Sequence, residues 1–281
     1  MLTQAQIDDF WEVGFLVIDD VFDANEVASL RTTCDTPSVA DGLELAGHRE
    51  RVVHLLELTT RHSVFRELAG DPRLVGRVAQ LIGSDIQVQH SKLTTKPPVV
   101  GRGAFDWHQD FAFFPHTNSD LVAAMVMLDD ATPENGCMST VRGSHKLGLL
   151  SHSADGRFMG ACQDESRWLD TSRHATLTPR AGGISIHHCM SLHASPENLS
   201  GRPRRGIVCQ YRAADAFQLG GHLFLDTGYQ VSGSPSTGVR CGPATYELPV
   251  WEGTAPARGP AWGQCGDLAS RWNRERLAVS R

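Results

Sequence analysis

The sequence predicts a mainly β protein, a sandwich or barrel of the jelly-roll type with helices at its N-terminus. Two features of the chain lead to this fold class. From about residue 85 onward, short β-type runs alternate with glycine and proline, at a spacing typical of all-β sandwiches rather than of βαβ units. Before that point, apolar residues recur at helical spacing. A length of 281 residues suits one such domain, because all-β domains often reach this size.

Residues 1–84 are predicted to form the helical part. Thr3 and Gln6 fit a capping box, Asp23 can cap a second helix, and Gly14 can end the first one. In chain order, the predicted elements are a helix that ends at Gly14, a strand over 15–18, a helix from Asp23, a strand over 52–58, and a helix over 64–82 that breaks or restarts at Asp71-Pro72.

Residues 85–215 are predicted to form the jelly-roll core of a single domain that spans 1–281. Within the core, 151–179 is long, polar and weakly patterned, so we expect a loop or lid-like insertion there. Residues 216–281 contain many Gly and Pro and are expected to be a C-terminal extension, in which 267–277 is a candidate helix. The predicted core strands are 86–95, 121–128, 138–141, 183–188 and 206–212.

Composition excludes several classes of function. A net charge of −6 argues against non-specific binding to nucleic acid or to anionic membrane. The first six residues lack the pattern of a signal peptide, and no apolar run approaches the roughly 18 residues of a membrane span. Seven cysteines without a Cys-x-x-Cys pair argue against a disulfide framework and a zinc ribbon. We therefore expect a cytoplasmic protein with a small-molecule substrate, no nucleic-acid or membrane partner, and an oligomeric state that the sequence leaves open.

His108 and Asp110 form a candidate metal motif in Asp106-Trp107-His108-Gln109-Asp110. Side chains at i and i+2 of an extended segment point to the same face, so the pair can hold one ion from one strand. With a second histidine, such as His193, they make the two-imidazole, one-carboxylate set of non-haem Fe(II) oxygenases. A His-x-Asp pair alone is weak evidence, because 13 histidines and 32 acidic residues produce such pairs by chance.

The third ligand has competitors in the sequence. His187 and His188 lie in an apolar strand just before His193. A ligand inside that strand would place the metal in the packed interior, so we favour His193. Arg204 follows His193 by eleven positions and could hold a carboxylate beside the metal, because a guanidinium stays charged and pairs bidentately with such a group.

Several further motifs accompany these residues. Over roughly residues 3–215, the chain resembles the phytanoyl-CoA dioxygenase (PhyH) family of Fe(II)/2-oxoglutarate oxygenases, the group that includes ectoine hydroxylase. The matching stretches are the opening helix with Gly14–Ile18, Lys96-Pro97-Pro98, Trp107-His108-Gln109-Asp110, Leu128–Cys137, Gly143-Ser144-His145-Lys146, and His193-Ala194-Ser195-Pro196-Glu197-Asn198 with Arg204.

The resemblance implies a double-stranded β-helix that uses Fe(II), 2-oxoglutarate and O2. By it, His108, Asp110 and His193 are the iron ligands, and Arg204 anchors the distal carboxylate of 2-oxoglutarate. Ser195 is placed to hydrogen-bond that carboxylate, although Ala194 stands where the family often has glycine. The implied reaction hydroxylates a small metabolite or natural-product scaffold while 2-oxoglutarate is decarboxylated to succinate.

Other residues have competing interpretations. His90, Lys92 and Thr94 share a face of one predicted strand that crosses the co-substrate site in the resemblance, with Thr94 the preferred donor. Equally, Lys92 could reach solvent while His90 is a buried structural histidine. The remaining expectations are that one of Phe111, Phe113 and Phe114 faces the substrate, that His145 lies near the ligands, that Asn135-Gly136 is a structural turn, and that Arg202 and Arg205 are surface charges.

Two functions from other classes remain open at this point. A metal-dependent hydrolase or isomerase on a cupin-like barrel would use the same triad, but it has no need for Arg204. A non-catalytic jelly-roll binding module would have a fortuitous triad. Within the family, desaturation, epimerisation and peroxide formation are alternatives to hydroxylation. Retention of Asp110, a position that related iron halogenases leave vacant for chloride, indicates oxidation without halogen transfer.

Overall fold

The computed structural model describes residues 1–45, 53–101, 103–220 and 224–249, and in these ranges helices precede most of the strands. The helices are α1 (Gln4–Val13), α2 (Ala24–Cys34), α3 (Pro37–Leu45), α4 (Leu58–Arg61), α5 (Ser63–Ala69) and α6 (Pro72–Ile82). The strands are β1 (Phe15–Ile18), β2 (Val53–Leu56), β3 (Ile86–Lys96), β4 (Phe105–His108), β5 (Leu121–Met127), β6 (Met138–Val141), β7 (Ser153–Ala154), β8 (Arg157–Phe158), β9 (His174–Leu177), β10 (Ile184–His188), β11 (His193–Ser195), β12 (Arg204–Ala213) and β13 (Tyr229–Ser232).

The predicted helix boundaries are confirmed where a capping residue marks them. Thr3 and Gln6 form a capping box at α1, and Gly14 ends that helix with φ of 92°. Asp23 caps α2 in the same way. The helix predicted over 64–82 is two helices, because Asp71 caps α6 and Pro72 occupies its first turn.

The larger sheet has seven antiparallel strands in the order β1-β10-β5-β12-β3-β13, with β2 beside the later half of β3. Its centre is the long pairing of β3 with β12, which runs from Ile86↔Ala213 to Lys96↔Arg204. The N-terminal part of the chain is therefore not only helical, since β1 and β2 both extend this sheet.

The smaller sheet has four antiparallel strands in the order β4-β11-β6-β9. Its edge strand β9 lies within 151–179, so the loop predicted there is wrong for His174–Leu177. Side-chain burial along β9 alternates with a period of two: Ala175 and Leu177 are buried and Thr176 is exposed. Four residues of alternation are too few to stand out in a polar segment. The same segment also forms a short hairpin, β7 with β8.

Alternation along the strands divides the larger sheet into two faces. Leu93, Ile186 and Ile207 belong to an apolar cluster with the helices. Burial of each such side chain stabilises the folded state by ~1.5–3 kcal/mol. Tyr211 joins that cluster, and its hydroxyl donates to the Ala69 carbonyl of α5 at 2.9 Å. The opposite face looks toward the smaller sheet, and residues of both sheets line one cavity. The predicted mainly β jelly roll with external helices is confirmed.

Three predictions concern the rest of the chain. The helix predicted over 267–277 lies outside the described residues. In the described ranges, none of the helices has the length and apolar character needed to cross a bilayer. The six cysteines that fall in those ranges are free thiols, and all but Cys241 are buried.

Candidate metal centre

His108 and His193 meet because their strands are neighbours. His108 ends β4, His193 begins β11, and the two residues are directly paired in the antiparallel register, with ring centroids 4.2 Å apart. Asp110 Oδ1 lies 3.8 Å from His108 Nε2 and 3.9 Å from His193 Nε2. One ligand atom from each of the three residues lies within 4.8 Å of the others, and all three are buried. The arrangement could hold one metal ion.

The way Asp110 reaches this point differs from the prediction. β4 ends at His108, and Asp110 begins a 3-10 turn, Asp110–Ala112, so the two residues do not share one extended strand. Gln109 is still extended, with φ of −112° and ψ of 130°, and the chain curls only after it. The carboxylate consequently stays on the same side as His108 while the chain turns away.

Both imidazoles present the same ring nitrogen to the centre. His108 Nδ1 donates to the Asp106 carbonyl at 2.7 Å, and His193 Nδ1 donates to the Ser191 carbonyl at 2.8 Å. A carbonyl only accepts, so each Nδ1 carries the hydrogen and each Nε2 keeps its lone pair. Burial lowers the pKa of His108 and lowers that of His193 well below its usual value. The rings are therefore neutral and oriented as metal-ligating histidines are.

Asp110 is ionised, and its carboxylate is stabilised by Lys92 and His187. Burial alone would raise its pKa, but attraction to Lys92 and a hydrogen bond from His187 hold the pKa well below its usual range. His187 Nε2 lies 3.2 Å from Asp110 Oδ2, the oxygen that is not shared with the two other ligands. Two neutral imidazoles and a charged carboxylate fit the donor set of non-haem Fe(II).

His187 and His188 point in opposite directions. His187 lies on the inner face of β10 and lines the cavity, whereas His188 packs on the helical side, 5.8 Å from the ring of Trp11. The sequence analysis considered His187 only as a competitor for the third ligand and placed it in the packed interior, whereas the structure places it in the cavity wall. Strand alternation predicts this direction. Ile184 and Ile186 face the helices, so Ser185 and His187 must face inward.

Arg204 lies at the start of β12, is only 4% exposed, and lines the same cavity. Its Nη1 donates to the Gly136 carbonyl, and its Nε has no partner. Burial lowers the pKa of the guanidinium to about 10, so it stays charged at neutral pH. No carboxylate of the described residues forms an ion pair with it. A buried cation without a counter-ion is costly, which indicates a position for an anionic ligand.

Ser195 and Thr94 also line the cavity. Ser195 Oγ donates to the Gly136 carbonyl at 2.8 Å, so one carbonyl holds this hydroxyl and the guanidinium side by side. The hydroxyl of Thr94 is 2.9 Å from His54 Nδ1. Arg204 and Ser195 therefore share one end of the cavity wall, whereas the Thr94 hydroxyl is paired with His54.

The predicted face of β3 divides between the cavity and an aromatic cluster. Lys92 and Thr94 line the cavity, but His90 does not. Its ring packs 4.5 Å from Phe224 and 5.2 Å from Phe114, because this cluster fills the barrel further along the strand. His90 is therefore a buried residue beside the site rather than part of its wall.

Several cavity-lining residues have no role in the sequence reasoning: His54, Phe105, Met125, Met138 and Val208. His54 stacks on Phe105 with ring centroids 5.0 Å apart. The only signal for His54 is its position between apolar residues in the predicted strand over 52–58. Apolar lining residues carry no signal, because they look like any other core position.

Three other expectations need correction. Phe111, Phe113 and Phe114 are buried in an aromatic cluster, and none of them lines the cavity. His145 lies away from the ligands, where its Nε2 donates to the Trp11 carbonyl at 3.1 Å.

Arg205 is not a free surface charge. It forms a half-buried ion pair with Asp129, with Nε 3.0 Å from Oδ2. Arg202 is exposed, as expected. The turn at Asn135-Gly136 is confirmed, with Gly136 at φ of 71°.

Comparison with known proteins gives relatives along most of the chain. The Phytanoyl-CoA dioxygenase (PhyH) family model matches residues 10–206. A probable alpha-ketoglutarate-dependent hypophosphite dioxygenase of Stutzerimonas stutzeri is 30% identical over 228 residues, which cover 75% of this chain and 79% of that protein. An ectoine dioxygenase of Halomonas elongata is 28% identical over 239 residues, 76% of this chain and 71% of that protein.

A solved structure supports the fold. The non-heme alpha-ketoglutarate-dependent carbocyclase SnoK from nogalamycin biosynthesis superposes with a TM-score of 0.66 at 25% identity, over 83% of this chain and 94% of that one.

Proposed function

The chain belongs to the phytanoyl-CoA dioxygenase (PhyH) family, and we propose that it hydroxylates a small molecule at a centre built by His108, Asp110 and His193. It is an Fe(II)- and 2-oxoglutarate-dependent dioxygenase with a double-stranded β-helix. The three ligands are proposed to hold Fe(II), and Arg204 to bind the distal carboxylate of 2-oxoglutarate.

The buried charge of Arg204 is the observation that carries the proposal. A hydrolase or isomerase with the same triad would need a metal and a water, but no buried guanidinium facing the cavity. A binding module would not need the two neutral imidazoles with their lone pairs directed at one carboxylate. The combination fits a metal site next to a position for an organic acid.

Each polar residue has a defined task in this scheme. His108 and His193 keep their Nε2 lone pairs available because the Asp106 and Ser191 carbonyls hold the hydrogens on Nδ1. The Gly136 carbonyl keeps the guanidinium of Arg204 and the hydroxyl of Ser195 adjacent. The remaining N–H groups of the guanidinium can donate to a carboxylate, and the single hydrogen of the Ser195 hydroxyl can do so when it turns away from the Gly136 carbonyl. Fe(II) with 2-oxoglutarate supplies O2 activation coupled to decarboxylation to succinate.

The substrate is proposed to be a small metabolite or a natural-product scaffold. Relatives named for ectoine and for hypophosphite are consistent with small substrates. Apart from Arg202, Arg204 and Arg205, the sequence has no tight basic cluster that would suit a nucleotide phosphate, so a coenzyme A ester is disfavoured. Because Asp110 occupies a ligand position, oxygen transfer is proposed in preference to halogen transfer, even at high chloride.

Succinate formation tests the proposal. Purified protein with Fe(II), 2-oxoglutarate and air should release succinate when supplied with a metabolite library, and 18O2 should label the product. His108→Ala, Asp110→Ala and His193→Ala should each remove this activity. His188→Gln is the matched control, because its side chain lies on the opposite face of β10 and should leave turnover intact.

Three results would contradict parts of the proposal. Turnover that survives in any of the three ligand variants would mean that the metal is held elsewhere. A chlorinated product would exclude Asp110 as a ligand. A product without 18O would retain the metal centre but replace hydroxylation with desaturation or epimerisation.

A further inference from the structure

The strand that ends at His108 is an edge strand of the smaller sheet. Within the described part of the chain, β4 pairs with β11 alone. The outer edge of such a strand leaves backbone groups that water or another segment must satisfy. Here the insertion, residues 151–179, bonds the residue on each side of His108. In the first contact, Cys162 N–H donates to the Trp107 carbonyl at 2.8 Å. The insertion thus serves as a partner for the edge of the ligand strand.

The second contact comes from the side chain of His152. Gln109 N–H donates to His152 Nε2 at 2.9 Å, and His152 Nδ1 donates to the Leu150 carbonyl at 2.8 Å. A carbonyl only accepts, so the hydrogen lies on Nδ1 and the lone pair of Nε2 is directed at the Gln109 amide. Both residues are buried, Gln109 completely. Because a buried amide without an acceptor costs ~1–3 kcal/mol, His152 satisfies a group that water does not reach.

The Gln109 side chain is fixed by the same part of the chain. Its Nε2 donates to the Gly148 carbonyl at 2.9 Å and to the Met190 carbonyl at 2.8 Å. Its Oε1 accepts from Leu150 N–H at 2.8 Å. Gln109 is therefore held through its backbone and through its side chain, and it cannot rotate without breaking these hydrogen bonds.

Gln109 lies between two of the proposed metal ligands, so its backbone sets their relative direction. It is extended, with φ of −112° and ψ of 130°, and the 3-10 turn begins directly after it at Asp110. A change in these dihedral angles would carry the Asp110 carboxylate away from His108. We propose that His152 is a positioning residue for the metal centre, which acts through the Gln109 backbone to hold His108 and Asp110 at the separation that one Fe(II) ion requires. The assignment rests on the proposed function, because it takes these two residues as iron ligands.

The surroundings of His152 suit a fixed support. Its ring stacks on Phe158 of β8 at an interplanar angle of 17°, and it meets Phe113 edge-on. Its carbonyl accepts from Met159 N–H at 2.8 Å. Side chains that are locked by packing and hydrogen bonds hold a site more precisely than mobile ones do. We therefore expect the start of the insertion to stay in place when ligands enter the cavity.

Anaerobic titration with Fe(II) tests the assignment. His152→Phe keeps a ring but removes the acceptor, and it should weaken Fe(II) binding by at least about tenfold, the low end of the usual effect of removing support around a metal site. His152→Gln places an amide oxygen near the position of Nε2 and should stay within about threefold of the wild type. His152→Asn is too short to reach the Gln109 amide and should behave like His152→Phe. The Gln and Asn variants keep the comparison decisive if phenylalanine prevents folding.

His174→Phe is the matched control. His174 also belongs to the insertion, and its ring packs 4.8 Å from that of Trp107 in β4. Its Nε2, however, donates to the Trp168 carbonyl at 2.8 Å, so that bond stays inside the insertion. The control should bind Fe(II) within about threefold of the wild type.

Hydrogen exchange of the metal-free proteins supplies a readout that does not involve iron. The Gln109 amide should exchange at least about tenfold faster in His152→Phe and His152→Asn than in the wild type, because its acceptor is lost. In His152→Gln and His174→Phe its exchange should stay close to that of the wild type.

Two results would overturn the role of His152. One is unchanged Fe(II) affinity in folded His152→Phe, which would leave this residue a contribution to stability alone. The other is equal Fe(II) affinity of His152→Gln and His152→Asn, because the position of the acceptor would then not matter. Absence of Fe(II) binding by the wild type, or full Fe(II) affinity in His108→Ala, would instead contradict the proposed function.

Discussion

The two oxygens of Asp110 have different neighbours, and this asymmetry matters for the metal centre. Oδ1 faces the Nε2 atoms of His108 and His193, whereas Oδ2 accepts from His187. A ligand carboxylate that is hydrogen-bonded by a further residue is oriented before the metal arrives. His187 is therefore placed to orient Asp110, which is one of the three proposed ligands.

His187→Ala should weaken Fe(II) binding by roughly 10–100-fold, the usual effect of removing a partner of a metal ligand. His187→Gln keeps a donor near the position of Nε2 and should show a smaller loss. Anaerobic titration with Fe(II) measures both. Unchanged iron affinity in a folded His187→Ala protein would show that Asp110 is oriented without this contact.

Arg204 and Arg202 are two residues apart but differ completely in environment. Arg204→Met should weaken 2-oxoglutarate binding by ~2–5 kcal/mol, since it removes one partner of a buried charge pair. Iron affinity should change little. Arg202→Met is the matched control, because Arg202 is exposed and should bind 2-oxoglutarate as the wild type does. Calorimetry of the Fe(II)-loaded proteins distinguishes them, and equal losses would mean that the arginine cluster acts only through its overall charge.

The turn before β6 connects the smaller sheet, which carries His108 and His193, to Arg204 of the larger sheet. Thr132 and Asn135 form a capping box around a 3-10 turn, which ends at Gly136 in the left-handed region. The Gly136 carbonyl then accepts from both Ser195 and Arg204. A short turn thus holds a residue of β11 and a residue of β12 in one place.

Gly136→Ala should damage this connection. A Cβ there would overlap the Pro196 carbonyl oxygen and lie 2.8 Å from that of Glu197, so the backbone must shift. Gly156→Ala is the control: Gly156 has φ of 75° but nothing within 4 Å of an added Cβ. The control should lose only the ~1–2 kcal/mol of left-handed strain. Gly136→Ala should lose more and also bind 2-oxoglutarate more weakly, as urea unfolding and calorimetry would show. Equal losses would indicate that the packing around Gly136 is not restrictive.

Arg205, the neighbour of Arg204 in β12, forms an ion pair with Asp129 on the face of the larger sheet that meets α2. Asp129 accepts from the side chain of Arg205 in β12 and from Arg31 in α2, so the pair links a helix to the larger sheet. The contact is structural, which explains why a basic residue adjacent to Arg204 does not face the cavity.

Across the whole molecule, buried neutral histidines make stability depend on pH. Burial lowers the pKa of His116 to about 4 and that of His152 and His188 to about 3. His152 shows the reason in its contacts: Nδ1 donates to the Leu150 carbonyl, and Nε2 accepts from the Gln109 amide at 2.9 Å. Protonation of Nε2 would break the second bond.

The metal-free protein should lose stability as the pH falls from 6.5 to 5. In that range the unfolded chain takes up protons on these imidazoles and the folded chain does not, so the free energy of unfolding decreases. Each histidine contributes up to ~1.4 kcal/mol per pH unit, and the three together up to ~4 kcal/mol per pH unit. Urea unfolding at several pH values measures the slope, and His152→Gln should reduce it by up to ~1.4 kcal/mol per pH unit. A flat profile, or an unchanged slope in His152→Gln, would contradict this account.

Much of the local structure follows from neighbouring residues in the chain. Thr3 with Gln6, Asp23 and Asp71 each cap a helix through contacts within three residues, so the sequence alone places these helix starts. The pairing of Asn135 with Gly136 predicts its turn for the same reason.

The candidate site is a different case, because its parts are far apart in the chain. The residue types and spacing of His108, Asp110, His193 and Arg204 predict a metal and acid site, and the structure brings all four to one cavity. The partner of Asp110 was not identifiable in that way, since His187 lies 77 residues away and its direction depends on which face of β10 meets the smaller sheet.

The chain alone thus determined the fold class, the helix caps and the chemistry of the ligand set, all of which depend on residue type and short spacing. Only the tertiary structure decided which side chains face the cavity. Lys92 and Thr94 face it and His90 meets an aromatic cluster, although all three share one face of β3. Similarly, Arg204 faces the cavity while Arg205 pairs with Asp129. The physical reason is that strand register and the closure of one sheet over the other set these directions, and both arise from contacts between distant segments.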